Sequence, residues 1–431
     1  MKKLFVFLCV SCLVLLSSSY LMAGGVDNRS NLSGEYVGSL NRNAATDSLD
    51  AIAYNPAGVM KMENGTYGNL SVHYVTKDYT NIVNGVKLEQ DKPSLIPALF
   101  ALYKKDDWAG FFSFTIPSGG GKVDYKNGSA TSRTAAYALM GGLNLMLPMY
   151  GYSGIVYDGI ENESVKAEGV YYGVTLGGAY KINDKISVSL AGRYIDANKK
   201  ARAAFQLTSE TGPTVSTVMD YKDTAEGVGF ILGLGFDLDP VYIGMRYETE
   251  TNLGFKYNVK EDAITGLPLS LPGLLAQRAI LDGLEHDRNL PALFSLGLAY
   301  TVSPKLKIDT GLTYYFQESA DWGGAEQNVD DGYEMGISLE YAFRDNLKGT
   351  IGYLNTKTGM EARYATNEAP ELDATSFGLG IKYKYSENLK MDFGVGYVSY
   401  DRGSYNDSLT NLPVILDKEV TMIAAGAQYS F

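Results

Sequence analysis

Few side chains in this sequence have the types and spacing that catalysis requires. The 431 residues include only two histidines, His73 and His286, and only two cysteines, Cys9 and Cys12. Metal centres and nucleophilic sites need several such groups brought close together. We therefore predict no catalytic residues, no metal site and no cofactor, and we expect that the chain is not an enzyme.

One glycine-rich run, Gly119-Gly120-Gly121-Lys122, resembles part of a phosphate-binding loop. The first glycine of that motif would fall at Ile116, however, and Val123 stands where the motif has serine or threonine. Glycine pairs such as those in 227–229 lie inside predicted strands rather than at a strand-to-helix turn. We therefore predict that these glycines make room in a filled interior.

The charge balance argues against nucleic acid as a partner. The chain has 37 basic and 49 acidic residues, which gives a net charge of −12 at pH 7. Binding to phosphate backbones requires clustered positive charge. We therefore predict no nucleic-acid partner.

Residues 1–23 have the pattern of a secretory signal peptide. Lys2 and Lys3 precede an apolar run from Leu4 to Leu16, which Ser17-Ser18-Ser19 and Met22-Ala23-Gly24 follow, and we predict cleavage after Ala23. Both cysteines lie in this segment. The predicted mature chain therefore contains no thiol for a disulfide or a metal.

From about residue 67 onward, the sequence alternates between apolar residues and small or polar ones. Val170, Tyr172, Val174 and Leu176, for example, alternate with Tyr171, Gly173 and Thr175. A period of two is typical of a strand with two different faces. Because no apolar run after residue 23 approaches the ~20 residues of a spanning helix, we predict that the apolar faces contact lipid and the other faces line a lumen.

The predicted connections alternate between short and long, and together they join fourteen strands. Short turns are expected near 104–107, 182–185, 237–240, 303–305, 344–346 and 386–388, and long loops near 79–93, 118–168, 197–225, 251–290, 318–331, 357–373 and 401–418. An even number of strands with both termini at the short-turn end is typical of bacterial outer-membrane barrels.

We therefore predict an all-β fold, a transmembrane antiparallel β-barrel of about 14 strands over residues 66–431. The terminal Phe431 falls on the lipid-facing parity of the last strand. The expected location is the outer membrane of a Gram-negative bacterium, and the expected state is a monomer. Expected partners are outer-membrane lipid, lipopolysaccharide and the barrel assembly machinery.

Residues 24–65 lack the alternating pattern. A segment of this length is too long to be a free tail by default, so we predict that it folds into the lumen as a hatch that plugs the barrel. Its centre indicates a short helix that begins after Asp47 or Ser48 and ends at Asn55-Pro56.

At these residues the sequence resembles the FadL/TodX family of outer-membrane transporters for long-chain fatty acids and hydrophobic compounds. The resemblance rests on the hatch motif Asn55-Pro56-Ala57-Gly58, on the block 289–300 and on the segment 108–121. It implies passive uptake of a long-chain fatty acid or another hydrophobic ligand. It also implies capture by the loops, binding in the lumen, movement of the hatch and sideways release into the membrane.

Apolar loop residues are candidates for ligand capture, because exposed apolar clusters often mark binding sites. Leu147 and Met149 belong to such a cluster in the loop 118–168, and Leu271, Leu274 and Leu275 lie in the loop 251–290. The alternative is that these loops pack on each other and cap the barrel.

Two arginines and one proline are the remaining candidates. Arg193 and Arg246 fall on the inward parity and could bind a ligand carboxylate, although lumen charges also pair with one another or with a hatch. Pro117 cannot donate to a strand ladder, so we expect a gap in the wall near it.

The rival function is a porin-like channel for polar solutes, which would need an open and charged constriction.

Overall fold

The computed structural model describes residues 31–268 and 281–431. The predicted signal peptide lies outside the described residues. In the described ranges the α-helices are α1 (Gly34–Ser39), α2 (Ala51–Tyr54) and α3 (Ala130–Met146), and the 3₁₀ helices are Pro56–Lys61, Leu147–Tyr150 and Ala325–Asn328. The strands are β1 (Gly65–Val83), β2 (Val86–Gln90), β3 (Ser94–Lys105), β4 (Trp108–Tyr125), β5 (Gly159–Asn183), β6 (Ile186–Thr208), β7 (Val215–Leu238), β8 (Val241–Glu248), β9 (Gly254–Thr265), β10 (Glu285–Asp287), β11 (Leu293–Ser303), β12 (Leu306–Tyr315), β13 (Gly332–Arg344), β14 (Leu347–Lys357), β15 (Ala374–Lys384), β16 (Leu389–Tyr400), β17 (Gly403–Asn406) and β18 (Pro413–Ser430). None of the described helices is long and apolar enough to span a membrane.

Fourteen of these strands form one closed antiparallel barrel. Strand β1 pairs with β18 along its length and with β3 on its other side, which closes the sheet. The other four strands, β2, β9, β10 and β17, extend the sheet at the long-loop end. The six short turns lie at the predicted places. The predicted number of strands and their antiparallel order are therefore confirmed.

The two faces of the strands differ as predicted. On β6, Leu190 and Tyr194 are 58% and 42% exposed, whereas Ser189 and Arg193 are buried. In a membrane, the exposed apolar side chains face lipid and the buried polar ones face the lumen.

Three strands are much longer than a membrane requires. Strands β5, β6 and β7 contain 25, 23 and 24 residues, whereas about 9–11 residues cross a bilayer. Both ends of the predicted loop 118–168 and most of the predicted loop 197–225 are therefore strand, and this part of the prediction is wrong. The alternation continues there, with Phe205 and Leu207 buried, but the outward positions such as Lys200 and Arg202 are charged. Because the outward residues at these strand ends are charged rather than apolar, their sequence pattern resembles that of polar loops.

The described part of the hatch, residues 31–64, lies inside the barrel on a belt of wall glycines. A Cβ atom at Gly297 would lie 2.3 Å from the carbonyl carbon of Asn43, and one at Gly352 would lie 2.0 Å from the carbonyl oxygen of Ser39. Side chains at these positions would displace the hatch backbone, which confirms that inward glycines make room in a filled lumen. One glycine from each of seven successive barrel strands takes part: Gly244, Gly297, Gly311, Gly336, Gly352, Gly378 and Gly394.

A buried cluster of charges fastens the hatch to the wall. Arg42 contacts Asp50 at 2.7 Å and Glu35 at 3.0 Å, and Lys382 of β15 contacts Glu35 at 2.6 Å and Asp47 at 2.8 Å. Burial acts to raise the pKa of Asp47, but Arg42 and Lys382 outweigh it and hold that pKa well below its ordinary value. The Asp47 carboxylate is therefore charged at neutral pH and attracts Lys382 directly.

Candidate functional site

The interior contains adjacent cavities, of which four are relevant to a ligand. We call them the outer, middle, lateral and inner cavities, with empty volumes of about 1310, 700, 660 and 500 Å³. Thr131 lines both the outer and the middle cavity, and Ala167 lines both the middle and the lateral cavity. The outer cavity is lined by Arg288, Trp322 and Tyr364, the middle by Lys199, Tyr257 and His286, the lateral by Val75, Ile96 and Gly120, and the inner by Tyr36, Arg193 and Arg246.

Helix α3 packs against the inner face of the extended wall. Its start is a capping box, in which the Ser129 N–H donates to Ser132 Oγ at 2.9 Å. Leu139 and Leu143, four residues apart on one side of the helix, are buried in a cluster that includes Phe205. The helix thereby covers apolar surface of the wall beside the middle cavity.

The structure separates the two predicted apolar residues that follow α3. Leu147 is 1% exposed and belongs to the cluster under the helix, whereas Met149 is 68% exposed. Neither residue lines the four cavities. Leu271, Leu274 and Leu275 lie outside the described residues. A role for these five residues in ligand binding stays a prediction.

A stack of rings with a buried ammonium forms one wall of the middle cavity. Lys199 Nζ lies 3.8 Å from the centroid of the Phe255 ring. The His286 ring stacks between Phe255 and Tyr257, with centroid distances of 5.6 and 4.7 Å. His286 Nε2 lies 3.1 Å from Asp223 Oδ2, whereas Asp223 Oδ1 is buried without a hydrogen-bond partner among the described residues.

The loop 357–373 closes the boundary between the outer and the middle cavity. The Ser129 hydroxyl donates to Glu368 Oε1 at 2.5 Å, and Asn367 Nδ2 donates to Thr131 Oγ1 at 3.1 Å. The Tyr405 hydroxyl donates to Asn367 Oδ1 at 2.7 Å. Glu368 is buried, and burial raises its pKa. Side chains from three loops therefore meet at the boundary between the outer and the middle cavity.

The barrel wall is interrupted at β4. Among the described residues, β3 pairs with β4 only over 108–114 of β4, and the pairing of β4 with β5 shifts between Thr115 and Ser118 and between Gly119 and Gly121. Pro117 lacks an N–H for the ladder. The interruption lies where the sequence predicted a gap, and Ser118 and Gly119 line the lateral cavity.

The inner cavity brings the two predicted arginines together, but a wall carboxylate already binds both. Arg193 Nη2 lies 2.6 Å from Glu248 Oε2, and Arg246 Nη1 lies 3.3 Å from Glu248 Oε1. Arg246 also donates to the carbonyl of Ala53 in the hatch. Both arginines therefore pair with a charge in the lumen, and Arg246 also pairs with the hatch, which is the alternative that the sequence left open. Their role as carboxylate anchors stays a prediction.

The hatch motif holds the hatch backbone in its turn. Asn55 Nδ2 donates to the Ala45 carbonyl at 2.9 Å and to the Tyr242 hydroxyl at 3.3 Å. A Cβ atom at Gly58 would lie 2.2 Å from the same Ala45 carbonyl oxygen. The Ser187 hydroxyl of the wall donates to the Ala57 carbonyl at 3.0 Å. The motif thus ties two turns of the hatch to each other and to the wall.

Two buried lysines in the cavities escaped the sequence analysis. Lys199 lies in the middle cavity and Lys77 in the lateral cavity, where Lys77 donates to Ser94 Oγ at 2.7 Å and to the Lys122 carbonyl at 3.0 Å. Lys199 has the same inward parity as Arg193 on β6. Extending the parity beyond residue 197 would have placed its side chain inside.

The fold and its interior define an outer-membrane transport barrel with a plugged lumen. Residues 163–431 match the family described as outer membrane protein transport protein (OMPP1/FadL/TodX). This match covers more than half of the chain, and the chain belongs to that family, as the resemblance at its hatch motif implied. No curated protein matches the sequence.

Solved structures have the same fold. A Pseudomonas aeruginosa FadL homologue aligns with a TM-score of 0.72 at 13% identity, over 95% of this chain and 100% of its own. The P. putida toluene transporter TodX aligns at 0.64 and 13% identity, over 89% and 94%. The Ralstonia pickettii toluene transporter TbuX aligns at 0.61 and 16% identity, over 92% and 97%. At these identities the similarity establishes the fold alone.

Proposed function

We propose that this protein takes up hydrophobic compounds, long-chain fatty acids among them, passively across the outer membrane. Its family and the toluene transporters with the same fold support this class of ligand. Transfer of apolar surface out of water is favourable by about 25 cal/mol per Å². A compound can therefore move from water through apolar cavities into the membrane without an energy source.

The proposed route begins in the outer cavity and continues through the middle cavity to the lateral one. The shared linings at Thr131 and Ala167 support this order, because each residue separates two neighbouring cavities. The contacts of Asn367 and Glu368 with the start of α3 close the first boundary. Their opening would admit a ligand.

The single observation that carries the proposal is the interruption of pairing at β4. A continuous ladder would seal the wall, whereas unpaired backbone at membrane depth is tolerated only where protein or a cavity covers it. Here the lateral cavity lies beside the interruption. We infer that a ligand leaves through this gap into the membrane, and that the hatch blocks the axial path and shifts during release.

Filling the lateral cavity tests this route. Ile96 is 6% exposed and lines the cavity, whereas its neighbour Leu95 is 66% exposed on the lipid face. Replacing Ile96 with tryptophan should stop uptake of labelled fatty acid by cells while binding to the purified protein persists. Leu95→Trp is the matched control and should leave both unchanged.

The two readouts separate the alternatives. Unchanged uptake by a folded Ile96→Trp barrel would exclude release at this gap. A wild-type protein that binds no hydrophobic probe and conducts ions in a planar bilayer would instead favour the porin-like function.

A further inference from the structure

We propose that a basic cleft on the outer surface of the barrel wall binds the phosphates of a glycolipid in the outer leaflet, lipopolysaccharide. The basic cleft is a concave part of the wall above the membrane, with an empty volume of about 670 Å³. Its charged residues face away from the lumen, so this inference does not depend on the proposed uptake of hydrophobic compounds.

The charged residues of the basic cleft lie on the outward faces of the extended strands. On β6, Lys200 and Arg202 have the same parity as Tyr194, which is on the lipid-facing side. Lys200 lies roughly 20 Å further along the strand than Tyr194. A strand tilt of ~40° leaves a height of roughly 15 Å above the tyrosine.

This height favours a glycolipid over an ordinary phospholipid. Aromatic residues of outer-membrane barrels form girdles at the interface of lipid and water, and the phosphate of a phospholipid lies near that level. Lipopolysaccharide carries phosphates on sugars that extend further outward. The basic cleft therefore lies where the phosphates of the larger molecule are found.

Positive charge is concentrated in the basic cleft, although the whole chain is acidic. Six of its lining residues are basic and three are acidic, whereas the chain has a net charge of −12. The basic residues are Lys92, Lys122, Lys166, Lys200, Arg202 and Lys260. Clustered lysines and arginines bind phosphates and anionic head groups by charge-assisted hydrogen bonds. The basic cleft is thus complementary in charge to a phosphorylated glycolipid.

The three acidic residues neutralise only part of this charge. Glu168 contacts Lys122 at 3.2 Å, and Asp220 contacts Arg202 at 3.1 Å. The third, Asp124, has one carboxylate oxygen without a hydrogen-bond partner among the described residues. Even with all three carboxylates ionised, the lining keeps an excess of positive charge.

The strand register also places cations directly opposite one another. Lys166 on β5 lies opposite Arg202 on β6, and Lys200 on β6 lies opposite Lys222 on β7. Like charges in directly opposite positions destabilise a sheet. A phosphate group that bridges such a pair would replace this repulsion with attraction on both sides.

Two forms of one glycolipid test the proposal. Binding of a lipopolysaccharide with a short saccharide is measured on the purified full-length protein in detergent, and so is binding of the same molecule after removal of its phosphates. Lys166→Gln/Lys200→Gln removes two exposed cations from the basic cleft. It should raise the Kd of the phosphorylated form roughly 2- to 30-fold and leave the Kd of the dephosphorylated form unchanged.

Lys105→Gln/Lys185→Gln is the matched control. Both lysines are exposed at the short-turn end, so this variant loses the same charge at the opposite end of the barrel. It should change neither Kd. Heat-dependent mobility in gels checks that each variant is folded. If the double variant of the basic cleft does not fold, each single variant serves, with an expected rise of roughly 1.5- to 5-fold.

Three results would overturn the proposal. An unchanged Kd of the phosphorylated form in the folded double variant would show that these lysines do not bind it. An equal loss for the dephosphorylated form would show that they do not recognise phosphate. Inorganic phosphate that binds the wild type as tightly as the glycolipid, with the same loss in the variant, would identify a site for free phosphate instead.

Discussion

Replacing Gly352 with alanine should loosen the hatch and leave the barrel folded. The added Cβ atom would lie 2.0 Å from the Ser39 carbonyl oxygen and 2.3 Å from its carbonyl carbon, whereas carbon atoms in contact are about 3.5–4.0 Å apart. The hatch backbone must therefore move by more than ~1 Å. Such overpacking costs about 1–3 kcal/mol, which raises the fraction of unseated hatch roughly 5- to 150-fold.

Hydrogen exchange of the purified protein measures this effect locally. Amides of α1 and of residues 40–45 should lose protection in Gly352→Ala, while the strands β14 and β15 keep theirs. Gly192→Ala is the control, because a Cβ atom there would meet no atom within 4 Å. Equal loss of protection in the hatch and in β14, or no loss in the hatch, would refute the reasoning that the glycine belt seats the hatch.

Three other perturbations have defined outcomes. Glu248→Gln leaves Arg193 and Arg246 without their shared carboxylate, so the free energy of unfolding should fall by about 3–5 kcal/mol in chemical denaturation; a loss below ~1 kcal/mol would contradict the pairing. Asn55→Ala removes the donor to a hatch carbonyl and should make the hatch about 1–3 kcal/mol less stable, seen as faster proteolysis within residues 42–61. Burial raises the pKa of Glu368 above its ordinary 4.5, so the folded loop binds the proton more tightly. Its stability should be greatest below pH 4.5 and fall as the pH rises through the raised pKa; hydrogen exchange of 358–373, corrected for intrinsic rates, should show this trend in the wild type and not in Glu368→Gln.

The sequence predicts the barrel well because lipid imposes a strict period on it. Alternation such as that of Leu190 and Tyr194 with Ser189 and Arg193 must hold wherever one face meets lipid, so strands can be counted. The hatch motif and the inward glycines are also visible in the sequence. The hatch motif and the inward glycines depend on local backbone geometry, which the residue types indicate directly.

The predicted site is less complete because its contacts depend on pairing across distant strands. The sequence places Arg193 and Arg246 in the lumen, but only the register of β6, β7 and β8 brings Glu248 between them. Above the membrane the outward residues become charged, so the apolar face by which strands are recognised ends before Lys199, although the alternation of buried and exposed residues continues. The cavities themselves arise from loops and hatch packed together, which no local pattern encodes.

The lateral route is tested most directly by a crystal structure of the protein with a fatty acid that carries bromine at the end of its tail. Anomalous scattering locates the bromine without ambiguity. The account predicts a bromine site in the middle or lateral cavity, near Ile96 and Gly120 beside the interruption of β4. A bromine site on the axial path between hatch and wall, near the contact of Lys61 with Asp237, would contradict lateral release.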